Sequence, residues 1–175
     1  ETVNAAQALA DLRPKDREAR RMLAELRFDL GDKAAAAKEY ERLVRLGNAE
    51  LPVLQRLTTL YRFLNDAEGE ERTLQIIAAM DEKSADANMR IAELRYARKD
   101  LEGAEGQWLE ALVRDPKRVE ARESIAKLRV DAGVLHEALD EYRKAFAIDP
   151  TRSETAAAIV KLEADFKLPK KKARG

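Results

Sequence analysis

An all-helical fold of antiparallel helix hairpins stacked as an α-solenoid is predicted by three features of this sequence. Its common residues are Ala, Leu, Glu, Arg, Lys and Asp, mostly good helix formers, while aromatics reach only 5%. An apolar pattern recurs every 34 residues with no insertion. Gly, Asn and Asp-Pro punctuate that pattern at regular places, where one helix stops and the next begins. With 45% hydrophobic residues the chain can bury a core.

Cutting every 34 residues from Arg17 gives segments 17–50, 51–84, 85–118 and 119–152, in which places are numbered 1 to 34. Place 7 is Leu23, Leu57, Ile91 and Ile125; place 8 is Ala24, Thr58, Ala92 and Ala126; place 10 is Leu26, Leu60, Leu94 and Leu128. These three places share one helical stripe, so a first helix buries one face. Place 20 is Ala36, Glu70, Ala104 and Ala138; place 24 is Tyr40, Leu74, Trp108 and Tyr142; place 27 is Leu43, Ile77, Ala111 and Ala145. They form the matching stripe of a second helix, with small residues allowing close approach and the large one at place 24 filling the space beside them.

Between the two helices come Leu30-Gly31-Asp32, Leu64-Asn65-Asp66, Arg98-Lys99-Asp100 and Ala132-Gly133-Val134. Gly or Asn tolerates the left-handed conformation that ends a helix, and Asp can cap the next one. After the second helix, Asp115-Pro116 and Asp149-Pro150 forbid continuation. Upstream, Pro14 falls where a terminal proline belongs, so residues 1–14, with Val3 to Leu12 as the helical part, read as the second helix of a preceding repeat. Downstream, Thr151 and Glu154 suggest a capping box, and Ile159, Val160 and Leu162 continue places 7, 8 and 10 in a capping-type helix over 153–167. Residues 168–175 form a basic tail or linker.

The segment 119–152, with Ile125-Ala126, Gly133, Ala138, Tyr142, Ala145 and Asp149-Pro150, resembles the tetratricopeptide repeat family almost place for place, and 85–118 is nearly as close. The other segments depart from the pattern: Asn48 and Glu82 stand where proline is usual, Glu70 replaces a small residue, and Arg27, Arg95 and Arg129 occupy a place often held by tyrosine. The resemblance implies a right-handed superhelix whose first helices line a concave groove for a partner peptide or protein. The groove places it implies are Arg21, Glu25, Phe28, Gln55, Thr59, Arg62, Phe63, Met89, Arg90, Glu93, Tyr96, Lys127 and Val130. Phe28, Phe63, Met89 and Tyr96 would form an apolar strip beside arginines, a composition favoured at interface hot spots. The carboxylate clamp of chaperone-binding members is not matched, because Glu25 and Asp86 fall where the clamp needs cations or amides.

Composition excludes several chemistries. No Cys removes thiolate metal sites and cysteine nucleophiles, and a single His136, expected at the surface, argues against catalytic triads and multi-histidine metal sites. Gly103 and Gly106 follow no strand and lack the Lys-Ser/Thr ending of a phosphate loop. Thirty-three Lys and Arg against 33 Asp and Glu give little reason for nucleic-acid binding. Carboxylates alternate with bases over Glu39 to Arg42 and Glu137 to Lys144, which reads as solvated helix surface. No apolar stretch approaches the roughly 20 residues of a membrane span.

The leading expectation is therefore a non-catalytic adaptor or scaffold segment with a protein or peptide partner, no cofactor, no metal and no small-molecule substrate. Two rivals are a regulatory or substrate-recruiting array of a multidomain enzyme, and an array that self-associates through open ends in an envelope assembly. The apolar edge of Ala5, Ala8, Leu9 and Leu12 implies either that the array continues upstream or, as in the last reading, that this edge pairs with another chain. The compartment stays open between cytoplasm and bacterial periplasm.

Overall fold

The computed structural model describes residues 2–47, 50–82 and 84–167, so Asn48 and the basic run 168–175 lie outside the described residues. Among these are ten helices and no strand: α1 (Thr2–Leu12), α2 (Arg17–Asp29), α3 (Lys33–Arg45), α4 (Leu51–Leu64), α5 (Ala67–Met80), α6 (Asp86–Ala97), α7 (Leu101–Arg114), α8 (Val119–Asp131), α9 (Leu135–Ile148) and α10 (Ser153–Lys167). They fall into two compact units, Glu1–Glu82 and Lys83–Gly175. In the first, each helix from α1 to α5 packs against its successor; in the second, α6 to α10 do the same.

The core of each unit comes from the predicted stripes. In the first, Ala24, Ala36, Tyr40, Leu43, Leu57 and Leu60 form one cluster, while Ala6, Ala10 and Leu23 form another beneath α1. In the second, Ala92, Ala104, Trp108, Ala111 and Ile125 join α6, α7 and α8, and Ala126, Ala138, Tyr142 and Leu162 join α8, α9 and α10.

The interhelical turns repeat one hydrogen-bonded design. Gly31, Asn65, Lys99 and Gly133, spaced by one repeat length, all have positive φ, at 80°, 56°, 69° and 76°. The amide after each reaches back to the helix: Asp32 to Arg27 O at 2.9 Å, Asp66 to Tyr61 O at 2.9 Å, Asp100 to Arg95 O at 3.0 Å and Val134 to Arg129 O at 2.8 Å. These bonds satisfy carbonyls that the helix end leaves open. The carboxylates of Asp32, Asp66 and Asp100 then accept the amides of Ala35, Gly69 and Gly103 and cap the second helix. Val134 has the same backbone role and no capping side chain.

Two local expectations are corrected. The Thr151–Glu154 capping box does not form: α10 begins at Ser153, and the Thr151 hydroxyl donates instead to Asp149 at 2.6 Å. The charge alternation around Glu39 and Glu141 is not solvated surface, since those carboxylates are 1% and 8% exposed. Glu39 accepts from Arg20 at 2.7 Å and Arg42 at 2.8 Å; Glu141 accepts from Arg122 at 3.1 Å and Lys144 at 2.6 Å. Arg20 and Arg122 also donate to the carbonyls of Pro14 and Pro116, tying each helix pair to the turn before it. Arg20 and Arg122 fall on place 4 and Glu39 and Glu141 on place 23, and the two other pairs on these places are Leu54 with Thr73 and Asn88 with Gln107, the latter hydrogen bonded at 3.0 Å. Places 4 and 23 thus change together, charge with charge and amide with amide, because a lone buried charge there would cost several kcal/mol.

Glu70 keeps its place by a related compromise. It is 2% exposed and takes two hydrogen bonds from Arg62, at 3.1 and 2.9 Å. The room a small residue would have supplied is moved one position back to Gly69, where a Cβ would stand 2.6 Å from the Tyr61 ring and from Asp66 Oδ2.

Candidate functional site

In the second unit, first helices α6 and α8 flank the large residue of α7. Helical spacing puts Glu93 and Tyr96 on one face of α6, and Ser124 and Lys127 on one face of α8. With Trp108 of α7 they line a cavity of about 220 Å³. The Tyr96 and Trp108 rings are tilted by 50° with centroids 5.8 Å apart, a favourable aromatic arrangement. The Trp108 indole N–H is buried and has no hydrogen-bond acceptor among the described residues. Lys127 is exposed at the rim, opposite Glu93, which pairs with Arg90 at 2.9 Å. The cavity therefore offers an aromatic wall, a hydroxyl and both signs of charge. Among the described residues no group of three or more His, Asp or Glu is placed to hold a metal ion, and no helix is long and apolar enough to cross a membrane.

The structure brings Glu93, Tyr96 and Lys127 together, with Arg90 beside them. Val130 turns inward and packs with Ala126, Ala138 and Tyr142. Met89 does not line a surface: it is 7% exposed and packs with Ala85, Ala92 and Trp108, because its place on α6 faces the neighbouring helices. Trp108 and Ser124 were missed by the groove places. Trp108 was legible only as the core residue of place 24, and Ser124 carries no sequence signal of its own.

In the first unit the candidates are scattered and largely occupied. Arg21 donates to Glu50 at 2.7 Å, and that bond with the nearby carboxylates raises its pKa against the lowering effect of burial. Phe28 packs on the core under the Arg56 guanidinium, 4.6 Å from its ring centroid, and Phe63, 60% exposed, carries Lys33 at 3.1 Å. Arg62 is held by Glu70. Gln55 and Thr59 are exposed, and the Gln55 carbonyl accepts the Thr58 and Thr59 hydroxyls at 2.8 and 2.9 Å. Glu25, one helical turn from Arg21, lines a cavity between α1 and α2 beside Leu26 and Asp29. A further cavity of about 290 Å³, lined by Leu57, Tyr61, Thr73, Ile76 and Arg72, opens between α3, α4 and α5. Its Tyr61 hydroxyl donates to Glu41, and burial together with that bond pushes the Tyr61 pKa up. His136 is exposed and stacks on Phe166, centroids 4.1 Å apart.

The last place of the repeat carries a recurrent ion pair. Arg118 reaches Asp86 at 2.8 Å, and Arg152 reaches Glu120 at 3.2 Å and Glu123 at 2.7 Å, where Thr155 also donates. Glu123 is held below its ordinary carboxylate value: burial pushes it up, and hydrogen bonds from Arg152 and Thr155 more than reverse this.

The family profile described as tetratricopeptide repeat matches residues 3–50 and 71–119, more than half of the chain. Among curated proteins no sequence matches. Similar solved structures include MamA, at 17% identity and TM-score 0.64 over 87% of this chain and 89% of that one. YrrB, described as a tetratricopeptide protein with an unusual peptide-binding site, aligns at 14% identity and TM-score 0.64 over 94% and 85%. The first tetratricopeptide domain of Spaghetti (RPAP3), solved bound to the HSP90 peptide SRMEEVD, aligns at 16% identity and TM-score 0.57 over 66% and 92%.

Proposed function

Since the chain belongs to the tetratricopeptide repeat family, we propose that it is a non-catalytic protein-interaction module whose second unit captures a partner peptide at the Tyr96–Trp108 cavity. One observation carries this reading: Glu93, Tyr96, Trp108, Ser124 and Lys127, from three helices, converge on a single open cavity of about 220 Å³. Such a volume accepts one side chain rather than a cofactor, whose sites run to about 300–1,000 Å³. Tyr96 and Trp108 supply the aromatic anchor typical of interface hot spots, and Lys127 with Glu93 supplies polar edges that orient a peptide on either side of it. The peptide-binding site described for YrrB and the peptide bound to the Spaghetti domain support a peptide as the partner class.

Trp108 is the sole tryptophan, so its fluorescence reports on this cavity alone. Peptides selected from a random display library against the whole chain should shift Trp108 emission on binding. They should lose affinity when Ser124→Arg fills the cavity or Tyr96→Ala removes its wall. Selected peptides that bind both variants as well as the natural chain, with emission unmoved, would place binding elsewhere.

A further inference from the structure

The cavity between α3, α4 and α5 marks a break in the buried ionic pattern of the repeat. In segments 17–50 and 119–152, places 4, 11 and 23 hold two arginines around one buried glutamate. Arg20 and Arg27 lie 2.7 and 3.8 Å from Glu39, and Arg122 and Arg129 lie 3.1 and 4.0 Å from Glu141. In segment 51–84 the same places are Leu54, Tyr61 and Thr73, so all three charges are gone together. Two of these replacements, Tyr61 and Thr73, line the cavity of about 290 Å³. Thr73 is shorter than glutamate and spends its hydroxyl on its own helix, donating to Gly69 O at 2.9 Å. The Tyr61 hydroxyl is spent on Glu41 of α3. Where the other two segments carry charge, this one has an apolar lining of Val44, Leu57 and Ile76, and Ile76 is 39% exposed.

The polar lining is cationic on balance. Arg45 and Arg72 are both exposed, and Glu41 is the one carboxylate among the lining residues. Glu41 already accepts from Arg45 at 3.0 Å as well as from Tyr61. Arg72 reaches Glu68 at 3.8 Å with both side chains exposed, a kind of pair that holds its members weakly.

We propose that this cavity is a second docking site, in the first unit and independent of the Trp108 cavity, and that it takes an apolar side chain of a partner protein flanked by a carboxylate. The apolar lining accepts a leucine-sized group, and the volume falls below the roughly 300–1,000 Å³ of small-molecule sites. A carboxylate beside that group meets Arg72 and Arg45. A cationic flank would instead face two guanidiniums, with Glu41 already engaged.

Amide NMR on the full chain tests this, with acetyl-Gly-Glu-Leu-Glu-Gly amide added up to about 5 mM, enough to populate even a millimolar complex. The amides of Val44, Leu57, Thr73 and Ile76 should shift. Replacing both glutamates of the peptide by lysine, or its leucine by glycine, should abolish the shifts. Arg72→Glu, at an exposed position, should weaken binding by about tenfold. The triple variant Leu54→Arg, Tyr61→Arg, Thr73→Glu copies Arg20, Arg27 and Glu39 and should close the cavity; if circular dichroism shows that it is not helical, Arg72→Glu alone decides. The Trp108 cavity is read apart, by indole emission, so binding there neither supports nor hides this result. Absence of shifts at these four amides overturns the proposal, as do equal shifts with the lysine peptide, or shifts undiminished by Arg72→Glu or by a helical triple variant. Binding of 4-methylpentanoate as tight as that of the peptide would make this a small-acid site, and the same shifts on concentrating the chain alone would give it to a second copy; either overturns the assignment to a partner protein.

Discussion

Arg152 Nη2 lies 2.7 Å from Glu123 Oε2, and three repeat lengths earlier the same two places hold Glu50 and Arg21, also 2.7 Å apart with the charges exchanged. The helix-pair geometry preserves the contact while the sequence is free to choose its polarity. Such half-exposed pairs contribute little to stability, about 0–1 kcal/mol. Exchanging both partners, Glu123→Arg with Arg152→Glu, should therefore cost less than either single change, because each single change puts like charges side by side. A double-mutant cycle by urea denaturation reads the coupling.

The buried pair is the stronger case. Arg20→Leu should destabilise the first unit by about 3 kcal/mol, because it leaves the Glu39 carboxylate buried with fewer donors. Adding Glu39→Thr, which reproduces the Leu54 and Thr73 combination, should recover most of that loss. Urea midpoints of the single and double variants check both statements.

The turns yield a gain. Val134→Asp should stabilise α9 by about 1 kcal/mol, since Val134 occupies the backbone position from which Asp32, Asp66 and Asp100 cap their helices. A raised denaturation midpoint is the expected outcome; an unchanged one would mean that the carboxylate does not reach the amide of Glu137.

Two glycines inside helices should respond in opposite directions. Gly106→Ala meets open space and should stabilise α7 by roughly 0.5–1 kcal/mol through helix propensity. Gly69→Ala drives a Cβ against Tyr61 and the capping Asp66, and should destabilise by about 1–2 kcal/mol despite the same propensity gain. Thermal melts of the two variants separate local packing from propensity.

Acid should weaken the second unit through identifiable groups. Glu141 lies below its ordinary value of 4.5: burial raises it, and hydrogen bonds from Lys144 and Arg122 outweigh that rise. Glu123 is lowered in the same way through Arg152 and Thr155, and Asp149 through Thr151. Folded values below unfolded ones mean a contribution that is full above the ordinary carboxylate range and lost as pH falls through the folded values. Denaturation followed by Trp108 emission should show stability falling as pH drops below 4.5, less steeply in Glu141→Gln.

The hairpins were readable because places 7, 8 and 10 serve the core alone, and there apolar character and position coincide, as at Leu23 and Ala24. The Lys99 turn was readable by its place, although the residue itself disfavours positive φ. Glu39 and Glu141 were misread because a buried carboxylate with three cationic neighbours has the same local spacing as a solvated one; the distinguishing sign lay nineteen positions away, in Arg20 and Arg122. Met89 was misplaced for the converse reason. Its place is surface-facing in the family pattern, while here its side chain is buried in the cluster that holds Trp108. The cavity itself depended on Ser124 of the next helix pair, whose approach no single segment encodes.

The most direct test of the interaction reading uses a photo-crosslinking residue at Lys127, on the cavity rim, and at Glu110, exposed on α7 outside the cavity, in cells that produce the protein. The account predicts that one partner is crosslinked from position 127, not from position 110, and that Tyr96→Ala removes the product. Crosslinking of that partner from position 110 alone, or from position 127 undiminished by Tyr96→Ala, would contradict it.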